Sequence, residues 1–169
     1  MTALNVDVAT RVSTDAAERF VESYYPALQN ARSTLASYYV APSAMPDGKP
    51  IPAIVFNGNI IQTAADFQAM FENQMPPVFY DVQCYDCQVL NPSLVTAGAQ
   101  TAPPESGKNM TILLMVSGYI RFGELRDGPI RGFSETIVLA PNPEAAAIKG
   151  RGKSVKGWLI QSQNFRMVV

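Results

Sequence analysis

The final stretch of the chain, GWLIQSQNFRMVV (157–169), alternates as a strand does, and both of its faces carry apolar side chains. Successive strand side chains point to opposite sides. That places Trp158 and Ile160 on one face and Leu159, Phe165 and Met167 on the other. NMTILLMVSGYIRF (109–122) repeats the pattern, with Ile112, Leu114, Val116 and Ile120 on one side and Leu113, Met115 and Tyr119 on the other. Two more long strands are predicted at 78–90 and 130–140. A short hairpin is predicted over 53–61, where Asn57-Gly58 supplies a two-residue turn between Val55-Phe56 and Ile60-Ile61.

Helical spacing lies ahead of the long strands. Ala17, Phe20, Val21, Tyr24, Tyr25 and Leu28 recur at three- and four-residue steps and predict a helix over 13–31, with Thr14 or Asp15 as cap. Pro26 falls inside it and is expected to kink or loosen its last turns. Residues 33–39 predict a short second helix. Residues 63–75 predict a third, capped by Thr63 with Phe67, Met70 and Phe71 as its apolar stripe and ended by Pro76-Pro77. Long loops are expected at 41–52, 91–108 and 142–156. Helices gathered at the front and strands behind define an α+β chain, a curved antiparallel sheet with three helices packed on one face, in a single domain over 1–169. A sheet that is apolar on both faces must have both covered. The helices suffice for one, so the other face is expected to meet a partner protein.

Composition narrows the chemistry. The chain has 169 residues, 47% hydrophobic and 16% charged, and reads as globular. It contains no histidine, which removes the commonest general base and metal ligand and any Ser-His or Cys-His nucleophile pair. Neither a cofactor nor a metal site is expected. Cys84 and Cys87 stand three apart in a predicted strand, so they face opposite ways and are expected to stay free thiols. No signal peptide and no apolar run of membrane-spanning length is evident. The net charge of −1 argues against nucleic-acid binding by bulk charge. After Glu144, however, every charged residue is basic. Lys149, Arg151, Lys153 and Lys156 form a glycine-interleaved cluster that could touch RNA phosphates, the plainer alternative being a solvated loop.

With the elements in place, a resemblance emerges. AAERFVESYYPAL (16–28), FNGNIIQTAADFQAMFENQMP (56–76), YDCQ (85–88), SGYIRF (117–122), GFSETIVLAP (132–141) and the Trp158…Phe165-Arg166 ending occur in an order and spacing that resemble the nuclear transport factor 2 superfamily, a cone-shaped fold. Within it the chain is most similar to the small subunits of heterodimeric messenger-RNA export receptors, in their fungal form. The resemblance implies a non-catalytic scaffold that pairs its sheet with the similarly folded domain of a large subunit. The pair would bind phenylalanine-glycine repeats of the nuclear pore, carry ribonucleoprotein, reside in the nucleus and at the pore, and shuttle to the cytoplasm. Homodimeric import carriers of this fold bind the GTPase Ran through an acidic run. Here that stretch is FGELRDGPIRGF (122–133), with Arg126 and Arg131 flanking Asp127, which favours the export subunit.

Asp86 and Arg166 match the charged residues that such subunits use across the interface. Cys84, Asp86, Leu114, Val116, Ile137 and Arg166 are the candidate interface positions. One face must lie under the chain's own helices, so about half of the six are expected to point inward, and a one-residue slip in register would reverse them. A third reading, a small-molecule lyase or isomerase, would use a cavity lined by Tyr24, Tyr38 and Tyr39 and would need a carboxylate there. Asp66 and Asp81 are the candidates, and both are expected on element surfaces.

Overall fold

The computed structural model describes residues 5–94, 106–123, 128–147 and 155–168. The first helix, α1 (Val6–Asn30), begins seven residues before the periodicity does. Its cap is Asn5, whose side chain accepts from the Asp7 amide at 2.8 Å. The extra turns are held by packing, since Gly107 lies against Val8 and Val12. Nor does Pro26 end the helix. It sits on the exposed side, as does Glu22, whose carbonyl loses its helical donor and can turn to water. A 3-10 helix follows (Arg32–Tyr38).

The loop expected at 41–52 contains a small hairpin of β1 (Ser43–Ala44) and β2 (Pro50–Ile51). The predicted Asn-Gly hairpin forms as β3 (Ala53–Phe56) and β4 (Asn59–Ile61). Asn57 and Gly58 both adopt positive φ, 48° and 80°, as a tight turn of that kind requires. Then come α2 (Ala64–Asn73), capped by Thr63 as expected, and the long strands β5 (Val78–Asn91), β6 (Thr111–Phe122), β7 (Ile130–Pro141) and β8 (Trp158–Val168). A short α3 (Pro143–Ala147) lies between the last two.

The main sheet runs β4-β3-β8-β7-β6-β5. Every neighbour is antiparallel except β3 and β8, which pair in parallel. The α+β architecture is therefore as expected, with one parallel pair added near an edge. The hairpin tip is stitched to β8: the Asn57 side chain accepts from the Met167 amide at 2.8 Å, and its own amide donates to the Phe165 carbonyl at 2.9 Å.

One face of the sheet lies beneath α1, the 3-10 helix and α2. Its core is a continuous run of rings. Phe56 stacks on Phe165 at 4.6 Å, Phe165 on Phe133 at 5.6 Å, and Phe133 meets Tyr25 of α1 at 5.9 Å. Arg32 locks the helices together. Its guanidinium donates to the carbonyls of Phe71, Met75 and Pro76 at 2.6–2.8 Å, and its Nε donates to the Leu28 carbonyl. One cation thus satisfies carbonyls at the C-terminal ends of both α1 and α2, where the helix dipoles also favour it.

Two of the sheet's three described register shifts decide which side chains point where. The pairing of β8 slips between Ile160 and Ser162, opposite Leu139 and Val138. The slip brings Ile160, Gln163, Phe165 and Met167 all to the covered face, so the division of the last strand's apolar residues between two faces is corrected by one extra residue. In β5 the pairing slips between Val82 and Cys84. There the Asp81 carbonyl crosses so close to Gly118 that a Cβ would stand 2.0 Å from it, and only glycine fits.

Candidate functional site

The registers order the uncovered face into rows, read from β5 across β6 and β7 to β8. One row is Asp86, Met115, Thr136 and Asn164. The next is Cys84, Ser117, Ser134 and Arg166, followed by Asp81, Tyr119, Gly132 and Val168, and then by Phe79, Arg121 and Ile130. Small polar residues fill its centre. Half-exposed apolar side chains (Phe79 at 52%, Tyr119 at 52%, Ile130 at 51%) stand toward one end. The face is therefore mixed rather than greasy throughout. Gly132 leaves a gap beside Tyr119. Near it, among the described residues, Phe79, Asp81, Tyr119, Arg121 and Ile130 line a depression of about 210 Å³.

The six candidate interface positions divide evenly between the two faces. Cys84, Asp86 and Arg166 are exposed on the uncovered face. Leu114, Val116 and Ile137 are buried in the helix-covered core and are removed from the candidate surface. Their strands alternate cleanly, and these three share parity with the residues that pack beneath α1. Asp86 and Arg166 do not pair with each other. Two strands separate theirs and they stand one row apart, a distance of roughly 16 Å at about 4.8 Å per strand and about 7 Å per row. Among the described residues the one ion pair joins Lys49 to Asp47 at 2.9 Å. Among the described residues the Asp86 carboxylate accepts one local bond, from the Cys87 amide at 2.9 Å.

The covered face holds a functional-looking group that the sequence reading missed. Glu135 is buried in the core, at 2% exposure, with no ion partner among the described residues. Its carboxylate accepts from the Tyr25 hydroxyl at 2.6 Å and from Gln163 Nε2, which also donates to the Tyr24 hydroxyl at 2.8 Å. The Tyr39 hydroxyl donates to Gln163 Oε1. Loss of water pushes the Glu135 carboxyl above its usual range, an effect the two hydrogen bonds partly oppose. Burial likewise pushes up the Tyr24, Tyr25, Tyr39 and Tyr80 hydroxyls. A buried, hydrogen-bonded carboxylate is what a cavity enzyme would need; here each of its oxygens accepts one internal hydrogen bond, and the Tyr25 ring that supplies one of them packs against Tyr24 and Phe133. The network ties α1 to β7 and β8.

The other proposed groups lie elsewhere. Asp66 completes the cap of α2, its amide donating to Thr63 Oγ1 at 3.0 Å while its carboxylate accepts from that hydroxyl at 2.7 Å. Asp81 is exposed at the depression. Cys84 and Cys87 are free thiols. Of the basic cluster, Lys149, Arg151 and Lys153 lie outside the described residues, as do residues 124–127 of the stretch compared with the acidic run. Lys156 is described: it donates to Ser37 Oγ at 3.0 Å and sits 4.4 Å from the centre of the Tyr38 ring. Those contacts hold it to its own 3-10 helix. Among the described residues no group of His, Cys, Asp or Glu could hold a metal ion, and no helix is long and apolar enough to cross a membrane.

A helix-backed, curved and unclosed sheet with one face bare among the described residues is an NTF2-like fold, and the chain belongs to the nuclear transport factor 2 (NTF2) domain family, whose model matches residues 16–166. Comparison with curated proteins returns no match. Among solved structures, the chain is similar to one in the Chaetomium thermophilum Mex67 NTF2-like domain complexed with Mtr2, at 30% identity and a TM-score of 0.75, covering 92% of this chain and 98% of that one. It is similar to one in a Sac3N peptide bound to Mex67:Mtr2, at 29% identity and a TM-score of 0.75, over 92% and 99%. It is also similar to a chain in a structure of Mtr2, at 26% identity and a TM-score of 0.70, over 90% and 97%.

Proposed function

We propose that this chain is the non-catalytic small subunit of a heterodimeric messenger-RNA export receptor, and that its uncovered sheet face pairs with the NTF2-like domain of a large subunit. The observation that carries the reading is the bare face itself, with Asp86 and Arg166 standing on it without an ion partner among the described residues. Both would need opposite charges once a second sheet covered them, because a buried unpaired charge is costly. Four strands of about ten residues present on the order of 600 Å² in projection, which suits a standard interface of about 800 Å² of accessible surface per partner. The similarity to chains in structures containing Mex67 and Mtr2 supports the same assignment.

On this reading the chain acts in the nucleus and at the nuclear pore and shuttles to the cytoplasm. Phenylalanine-glycine repeats are engaged by the complex. RNA contact is assigned to Lys149, Arg151, Lys153 and Lys156, the last of which also donates to Ser37 and lies over the Tyr38 ring.

Native mass measurement on the chain mixed with a Mex67-type NTF2-like domain tests the proposal. A one-to-one heterodimer is expected. A stable homodimer that ignores the added domain would favour the import-carrier reading, and two species that never associate would remove both.

A further inference from the structure

The rows of the uncovered face contain one feature that the charges do not explain. Two rows beyond Asp86 and one beyond Arg166, β7 carries Gly132 where its neighbours on the same face carry side chains. The missing side chain lowers the surface between Tyr119 and Val168, next to the depression bounded by Phe79, Tyr119 and Ile130. These three apolar side chains are each about half exposed, so they have surface left to bury. The depression is also charged on both sides. Asp81 stands at one side and Arg121 at another, and the two form no ion pair. Arg121 lies folded against the sheet, with its Nε covered and without an acceptor. A buried donor left unpaired is costly. The free chain therefore holds Arg121 in a conformation that an incoming acceptor would improve.

Successive rows on one face are about 7 Å apart. A sheet seated across Asp86 and Arg166 must extend over the depression as well. Binding energy in such interfaces concentrates where a large side chain fills a pocket, and a charged group of the pocket's wall finds its complement there. The large subunit is thus the occupant that continuity of the surface requires, and Arg121 sets the chemistry it must bring.

We infer that this depression is the anchor point of the heterodimer, taking one aromatic or long aliphatic side chain of the large subunit's NTF2-like domain, with an adjacent carboxylate turning Arg121 outward to pair with it. The inference rests on the proposed pairing of the two sheets and adds the place and chemistry of its strongest contact. Charge reversal at Asp86 tests the rows in general. The depression is tested separately.

The experiment is titration calorimetry of the folded chain against a Mex67-type NTF2-like domain. Tyr119→Ala and Ile130→Ala are each expected to weaken the dissociation constant 10- to 100-fold, and Arg121→Met about tenfold, with melting temperatures close to that of the unaltered chain. Phe79→Ala serves as a second truncation on a different strand should either of the first two disturb folding. If all truncations bind within twofold of the unaltered chain while Asp86→Arg still disrupts the complex, the anchor is overturned and the pairing of sheets stands. If Arg121→Met alone is silent, the acidic half of the inference is overturned. If the unaltered chain does not bind at all, the pairing itself falls and the anchor with it.

Discussion

The two faces of this sheet use the same strands to opposite ends. On the covered face, a carboxylate sits among aromatic rings with its oxygens hydrogen-bonded by Tyr25 and Gln163. On the bare face, Asp86 and Arg166 stand about 16 Å apart with no ion partner among the described residues. The buried carboxylate ties α1 to β7 and β8, and the exposed charges carry the proposed function. A charge inside a folded chain must find its complement there, whereas a charge on a surface can wait for another molecule to supply it.

Breaking the covered face should cost the most. Phe165 is fully buried and stacks on both Phe56 and Phe133. Phe165→Ala is expected to destabilise the chain by about 3–5 kcal/mol in chemical denaturation. Binding of the partner should weaken only as far as the folded population falls. A loss of binding without loss of stability would mean that the two faces are not separable in this way.

The bare face should respond in the opposite sense. Asp86→Arg or Arg166→Asp is expected to leave stability within about 0.5 kcal/mol, because both side chains are exposed. Affinity for a Mex67-type domain should drop by roughly 100-fold, since each change sets like charges against each other in the complex. An unchanged affinity for both variants would take these two residues off the interface.

The smallest effect separates the two faces by pH. The folded-state pKa of Glu135 lies above that of the unfolded chain, so the native protein holds a proton that the unfolded chain gives up. Stability from this group is fully present below the ordinary glutamate range, near pH 4.3, and is lost as pH rises through the raised native value. Glu135→Gln cannot titrate and can still accept from Tyr25, while its NH2 can meet Gln163 only if that amide turns over to present its oxygen. Its stability relative to the parent chain should therefore rise across that window and level off above it. A constant difference at all pH values would show that Glu135 does not titrate on folding.

Much of the fold was legible because its signals are local. The Asn57-Gly58 turn, the Thr63 cap and the alternation of β6 each need only neighbouring residues to be read. The extra turns of α1 were not legible, because they depend on Gly107 packing against Val8 and Val12, a contact between distant parts of the chain. The parity of β8 was misread for a related reason. Its bulge at 161 arises from pairing with β7, and one inserted residue moves Ile160 to the same face as Phe165. Division of the interface candidates was half readable. Leu114, Val116 and Ile137 lie on strands whose alternation was visible, but nothing local states which side the helices choose. Glu135 was readable in principle. Phe133, Ile137 and Leu139 alternate around it, so an acid in that sequence falls on the apolar face, and only the long reach of Tyr25 and Gln163 to meet it was hidden.

Cys84 offers the most direct view of which face is covered. It is an exposed thiol on the bare face in the same row as Arg166, and Cys87, three residues on, points to the other side. Alkylation of the two thiols can be followed by mass spectrometry, with and without a saturating Mex67-type NTF2-like domain. The account predicts that Cys84 reacts at least tenfold more slowly in the complex while the rate at Cys87 is unchanged. Equal labelling of Cys84 in a fully formed complex would contradict it.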